Sequence, residues 1–475
     1  MKAALTRKKM TSDSLPPGKR SFVSFSITDF HFCKQQVLTW ASRFDIFCFL
    51  DNQGYDAGIP SRFECLLAAG ALDSLEIAAN SGLAANPDLS ANPDPSADAL
   101  SRLKEWTSTR REWLFGHLAY DLADETEPSN TPGHIPSATD PIGFPALFFF
   151  IPEILIELSA TSIRIGSFSG DQEVLWQQIS STHISPGLPG PATAIIAPFT
   201  ARFTHREYLS TVIELQRHIR RGDCYEINFC QEFFSQPACP DPLSTWWALS
   251  SASPTPFSAF YRLNKRYLFC ASPERYLRKT GDILLSQPIK GTLARAGQPT
   301  PDQVAARELF LSAKDRSENV MVVDLVRNDL SKISLPGSVR VEELYGIYPF
   351  PQVFQMISTI TGALLPGMHW TDAIRATFPM GSMTGAPKNR VVQLIRQYER
   401  SRRGIFSGAV GYVTPEGDFD FNVVIRSMLY NEQSRYLSYQ VGSAITFYSD
   451  PQAEYEECRI KAAGIMKALG ISKSL

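Results

Sequence analysis

The 475-residue sequence has no apolar run long enough to cross a bilayer, and its basic start, "MKAALTRKKMTSDSLPPGKR", lacks the apolar stretch of a secretory signal. It has no charge excess: 46 Lys and Arg face 48 Asp and Glu. The formal charge of −2 gives no electrostatic reason to expect nucleic acid or an anionic membrane as partner. No CxxC and no metal-ligand rhythm joins Cys33, Cys48, Cys65, Cys224, Cys230, Cys239, Cys270 and Cys458. That spacing fits reduced thiols in a cytoplasm rather than a disulfide frame. There is no internal repeat. What is present is an ordinary globular composition, 44% hydrophobic and 20% charged, in a chain long enough for one large domain or two.

Residues 1–20 read as a disordered lead. Three stretches rich in Pro, Ser, Ala or Asn read as surface loops or linkers: 80–101, 125–141 and 184–198. The last separates an N-terminal region, 21–185, from a C-terminal region, 200–472. The first contains short apolar strands, "FDIFCFL" and "ALFFFIPEILIEL". The second opens on a helix, with Thr204 and Glu207 as a capping box and Tyr208, Val212, Leu215 and Ile219 on one face. "GAVGYV", "DFDFNVVIRSMLY" and "RYLSYQVGSAITFY" alternate like strands of an antiparallel meander. A last helix follows, with Asp450 as N-cap, Pro451 in its first turn and Gly470 past its end. Strands and helices without strict alternation indicate an α+β fold.

Five features could carry chemistry. In "SQPIKGT", Lys290 ends an apolar strand just before a Gly-Thr turn. Either it bends out to solvent, or its amine is held in a pocket as nucleophile or base. Residues 314–330 and 450–470 read as helices with carboxylates at i and i+3: Asp315 with Glu318, and Glu454 with Glu457, the latter extended by Lys461. Each is either a solvated face or, if the two helices meet, half of a divalent-cation site suited to Mg²⁺. Arg426 shares a strand face with Asp420 and Asn422 and is either a rim residue or a fork for a carboxylate. In "ASPERY", Ser-Pro interrupts a strand and leaves Glu274 at a bend. The loop "FPMGSMTGAPKNR" offers amides before a helix but lacks the order of a P-loop.

Taken together, "GDCYEINFCQ", "SPERY", "PIKGT", "ENVMVVDLVRNDL", "GSMTGAPK", "SGAVGY", "VIRS" and "EYEECRIKA" resemble the chorismate-utilising enzymes, densely from about residue 200 to 470. A weaker match, "FGHLAYDL", resembles the N-terminal region of the anthranilate and aminodeoxychorismate branches. The resemblance implies two large, mostly antiparallel sheets packed as a sandwich with helices outside. Between "PI" and "GT", typical anthranilate synthases carry alanine and aminodeoxychorismate synthases lysine. It therefore implies that Lys290 attacks C2 of chorismate as the C4 hydroxyl leaves, with Glu274 as general acid. Ammonia then adds at C4 and expels the lysine. A lysine at its ordinary pKa is almost wholly protonated at neutral pH, so burial is expected to lower it.

By the same resemblance Glu318 and Glu457 are ligands of Mg²⁺, with Asp315 and Glu454 acting through water. Arg426, Ser382, Gly442 and Lys461 line the substrate's carboxylate and enolpyruvyl groups, with Gly291, Thr292 and Phe406 beside them. Four positions depart from the pattern. Gln355 stands for a common histidine, Phe406 for a tyrosine, Ala444 for a frequent glycine, and Glu226 for glutamine or a base lysine. A carboxylate at 226 argues against water-adding isochorismate and salicylate synthases. No G-x-C-x-G element with a downstream histidine is present, so ammonia is expected from a separate glutamine amidotransferase subunit. The rivals are an anthranilate synthase component I, and a non-catalytic chorismate-binding regulatory subunit.

Overall fold

Strand periodicity sends alternate side chains into two different cores. In the strand Ile46–Asp51, Cys48 enters one core while Phe47 and Phe49 enter the other. Leu66 and Ala68 separate from Leu67 and Ala69 in the same way, as do Leu268 and Cys270 from Phe269 and Ala271. A strand buried on both faces needs apolar residues at every position, which is how these runs read. The computed structural model describes residues 19–55, 63–79, 98–128, 140–184, 195–295, 297–350 and 353–471.

Twenty strands form one hydrogen-bonded network, all of whose pairings among the described residues are antiparallel. One half runs from Ile283–Gln287 through Arg275–Thr280, Phe419–Asn422, Ala409–Val413 and Leu114–Leu118 to Leu147–Leu158. The other runs from Cys65–Ile77 through Ile46–Asp51, Phe257–Leu263, Arg266–Ser272, Ser427–Asn431 and Tyr436–Ile445 to Glu226–Ser235. The halves share an interior core: Leu277, Phe421, Val410, Phe115 and Phe149 from the first, with Leu66, Tyr261, Leu268 and Leu429 from the second. This is the expected α+β sandwich. Its two faces are not separate sheets, however, because the long strands Cys65–Ile77 and Leu147–Leu158 stay paired and join them. Helices carrying Trp40, Leu215, Trp246 and Ile465 close the second core.

Strands from before and after residues 185–194 interleave: Ile46–Asp51 pairs with Phe257–Leu263, and Leu114–Leu118 with Ala409–Val413. Residues 1–18 of the lead and most of the three linkers lie outside the described residues; Arg20, placed in the lead, is instead buried and donates to the Pro152 carbonyl (2.7 Å). One linker was read too long. Asp98 already caps the helix Ala99–Ser108, accepting from the Ser101 N–H, because Leu100 and Leu103 have a core to enter. The helices expected at 204 and 450 form with the expected caps. Among the described residues no helix is long and apolar enough to cross a membrane.

The segment "DFDFNVVIRSMLY" is not one strand. Phe419–Asn422 belongs to the first half and Ser427–Asn431 to the second, so residues 423–426 carry the chain across the sandwich. Arg426 therefore sits at φ +53, in the left-handed region, and not in mid-strand. "SPE" makes the reverse crossing, from Arg266–Ser272 to Arg275–Thr280. The two crossings touch: the Val423 N–H donates to the Glu274 carbonyl (3.0 Å) and the Ala271 N–H to that of Arg426 (3.3 Å).

Since Phe149 fills the core shared by both halves, Phe149→Ala should cost about 3–5 kcal/mol. Thermal or denaturant unfolding would read this as a clear loss of stability, and an unchanged midpoint would contradict the shared core.

Candidate active site

Lys290 is the second residue of the strand Ile289–Ala294, whose register against Val353–Ala363 slips between Ile289↔Ile357 and Thr292↔Gln355. Two residues, Lys290 and Gly291, therefore face one, Met356, so the expected Gly-Thr turn is a bulge inside the strand, a device that re-aims one side chain. Gly291 takes φ +93 there, and a Cβ on it would stand 3.0 Å from Asp315. The bulge turns Lys290 inward. Its residue is 9% exposed, and its Nζ lies 2.7 Å from Oε1 of Glu226.

Burial alone pulls this amine's pKa down, as expected from the sequence. The charges of Glu226, Glu318 and Glu274 together outweigh burial, so the pKa ends above its ordinary value. The expectation of a neutral resting amine is thus corrected: Lys290 is an ammonium in an ion pair. Sequence reasoning missed this partner. The available signal was an acid, Glu226, opening a strand whose residues are nearly all buried.

Glu274, on the crossing, is buried, and burial pushes its carboxyl up to about 7 against the opposing pull of the Ser382 hydroxyl and the Lys290 charge. Such a group holds a proton near neutrality and can release it. Ser382 lies in the turn Gly381–Met383, which is tied to the strand Glu226–Ser235. Asn228 Nδ2 donates to the Ser382 carbonyl (3.1 Å), the Asn228 N–H to that of Thr384 (2.7 Å), and the Tyr225 N–H to that of Ala386 (2.8 Å).

The two acidic helices, Ala313–Ser331 and Pro451–Ala468, do meet. They converge on a residue the sequence reading overlooked, Lys314, although its i,i+4 spacing to Glu318 was visible. Its Nζ stands 3.8 Å from Glu318, 3.5 Å from Glu454 and 3.9 Å from Glu457. Burial raises the Glu318 carboxyl to about 7. Burial pushes Glu457 the same way, but Lys461, Lys314 and Lys290 bring it below its ordinary value. Lys461 Nζ bonds Glu457 (2.7 Å) and donates to the Gly442 carbonyl (2.8 Å).

No three acidic groups among the described residues stand close enough to hold an ion as they are. In chemistry the donors do fit a hard divalent cation: all are carboxylate oxygens, and Glu318 Oε1 and Glu454 Oε2 are buried without a hydrogen-bond partner. Asp315 is engaged differently. Its carboxylate accepts from the Ser312 hydroxyl, the cap of its own helix, and no contact ties it to Glu454 or Glu457.

The remaining predicted residues divide. The Arg426 side chain is half-buried, and desolvation lowers its pKa, partly offset by Glu457; it has no hydrogen-bond partner among the described residues. Gly442 has no room for a side chain, since a Cβ would lie 2.4 Å from Cys230 Sγ. Phe406 is buried in the interior core. Thr292 is exposed, its side chain on the outer face of the bulged strand. Gln355 is buried, with its Oε1 unpartnered among the described residues, and Ala444 lies opposite Asn228.

Residues 56–467 match the family described as chorismate binding enzyme. The chain belongs to that family. Among relatives of this chorismate binding enzyme, aminodeoxychorismate synthase component 1 of Salmonella typhimurium is 38% identical over 275 residues, which is 58% of this chain and 60% of that one. The Klebsiella aerogenes protein of the same name is 33% identical over 359 residues, 74% and 76% of the two chains. The crystal structure of anthranilate synthase component I from Streptococcus pneumoniae superposes with a TM-score of 0.70 at 24% identity, covering 86% of this chain and 93% of that one. That likeness establishes the fold.

Two carboxyls lifted to about 7 should be visible directly. Infrared difference spectra between about pH 5 and about pH 9 should show a protonated-carboxyl band lost as pH rises through neutrality. Glu274→Gln should remove part of that band; an undiminished band would place Glu274 among ordinary ionised carboxylates.

Proposed function

We propose that this chain is an aminodeoxychorismate synthase component I, converting chorismate and ammonia to 4-amino-4-deoxychorismate through a covalent Lys290 intermediate. The observation that carries the reading is a buried lysine, aimed inward by a bulge, in the field of a carboxyl that retains a proton near pH 7. The names of the Salmonella and Klebsiella relatives support it. Nζ forms a bond to C2 of the ring as the C4 hydroxyl departs with the Glu274 proton, which a poor leaving group needs. Ammonia then bonds at C4 and the lysine is expelled.

Arg426 offers an unpaired fork to a substrate carboxylate, and Ser382 holds Glu274 in place. Gly442 gives a bare backbone against which the enolpyruvyl group would lie, with Lys461, Gly291 and Phe406 around it. Thr292 would contribute through its backbone, its side chain being exposed.

Glu318 and Glu457 would hold Mg²⁺, with Asp315 and Glu454 through water, and Lys314 would give up its central place. When bound, the ion supplies positive charge for the ring carboxylate. The ammonia would come from a separate glutamine amidotransferase subunit, in a cytoplasm.

Incubation with chorismate, Mg²⁺ and ammonium should yield 4-amino-4-deoxychorismate, and Lys290→Ala should lose amination at C4. Anthranilate as product would select an anthranilate synthase component I. Chorismate binding without turnover would select a regulatory subunit.

Glu318→Gln and Glu457→Gln should each raise the Mg²⁺ concentration needed for half-maximal chorismate binding, by about 10–100-fold. Calorimetric titration of the metal reads this independently of turnover, and unchanged affinity in both would remove these residues from the ion.

A further inference from the structure

An ammonium is no nucleophile, because the proton occupies the electron pair that would form the bond. The resting Lys290–Glu226 pair therefore needs a proton acceptor before the proposed reaction can start. Three carboxylates bear on Lys290: Glu226, Glu318 and Glu274, and Glu457 feels its charge in turn. Glu274 serves the leaving hydroxyl, and Glu318 belongs to the acidic group around Lys314. Among the described residues only Glu226 touches Nζ, and its second oxygen, Oε2, is buried without any hydrogen bond.

The position of Glu226 is fixed from both sides. Its strand pairs Glu226 with Ala386, and Gly385, at φ +142, permits the approach; a Cβ there would lie 2.0 Å from the Glu226 carbonyl oxygen. Across the gap, the bulge at Gly291 presents the amine. A carboxylate placed this closely can take the proton with no movement of the backbone.

We propose that Glu226 is the base that frees Lys290, an inference that rests on Lys290 being the nucleophile. The proton passes from Nζ to the Glu226 carboxylate, turning a buried ion pair into two neutral groups that need no water. The freed electron pair forms the N–C2 bond as the C4–O bond breaks, and the hydroxyl leaves as water with the Glu274 proton. When ammonia bonds at C4, the C2–Nζ bond breaks and its electrons return to Nζ. Glu226 then gives back its proton, while the new C4 ammonium gives one to Glu274. Both acids are thereby restored.

The test is adduct formation on Lys290, followed by intact mass and peptide mapping after mixing with chorismate and Mg²⁺ in the absence of ammonia. The native protein should form the adduct. Glu226→Gln keeps a hydrogen-bond acceptor but cannot take a proton, and should form it about 100-fold more slowly at neutral pH. Its rate should climb about tenfold per pH unit as solvent removes the proton instead. Glu226→Asp keeps a carboxylate and should retain the flatter native profile. An adduct formed by Glu226→Gln as fast as by the native chain would overturn the role of Glu226. So would a steeply rising profile in Glu226→Asp, which covers the case of a glutamine variant that does not fold. No adduct in the native protein would instead overturn Lys290 as nucleophile.

Discussion

Residues 273–274 and 423–426 each carry the chain from one half of the sandwich to the other, and they pass within hydrogen-bonding distance, the Val423 N–H donating to the Glu274 carbonyl at 3.0 Å. A sheet buried on both faces leaves no surface cleft along its length. Where strands change sides, further polar side chains can reach inward. Glu274 and Arg426 lie at that crossing, and the bulge that aims Lys290 interrupts an adjacent edge of the same half. That the candidate site lies at this place follows from the architecture.

Electrostatics then sets how the groups rest. Three ammonium groups, Lys290, Lys314 and Lys461, are matched against Glu226, Glu318, Glu454 and Glu457. Of these only Lys290, Glu226, Glu318 and Glu454 are buried, and charges that buried persist only when paired. Glu318 and Glu274, the least compensated, keep protons near neutrality, whereas Glu457, next to Lys461, does not. Identical side chains thus acquire different protonation states from the cations beside them. Lys314 stands at the centre of the acidic group formed by Glu318, Glu454 and Glu457.

Much of this was legible in the chain. Helix caps at Thr204 and Asp450, the period-2 runs, and the i,i+3 carboxylates depend on neighbours a few residues apart, and local spacing determines them. The strand "DFDFNVVIRSMLY" misled for a physical reason: apolar residues at every second position run on from Phe419 and Phe421 through Val423 and Ile425, although the chain is changing sides there. Periodicity reports which face is apolar, not which half of the sandwich the face belongs to.

The sequence by itself determined that this is an α+β chorismate binding enzyme with a lysine in the "PIKGT" position, because element type and motif are properties of contiguous residues. Only the tertiary structure decided that Lys290 rests as an ammonium on Glu226 and that Lys314 stands among three carboxylates. Each of those depends on Coulomb energy between groups, which falls with distance in space and takes no account of separation along the chain: Lys290 and Glu226 are 64 residues apart and share a proton's width.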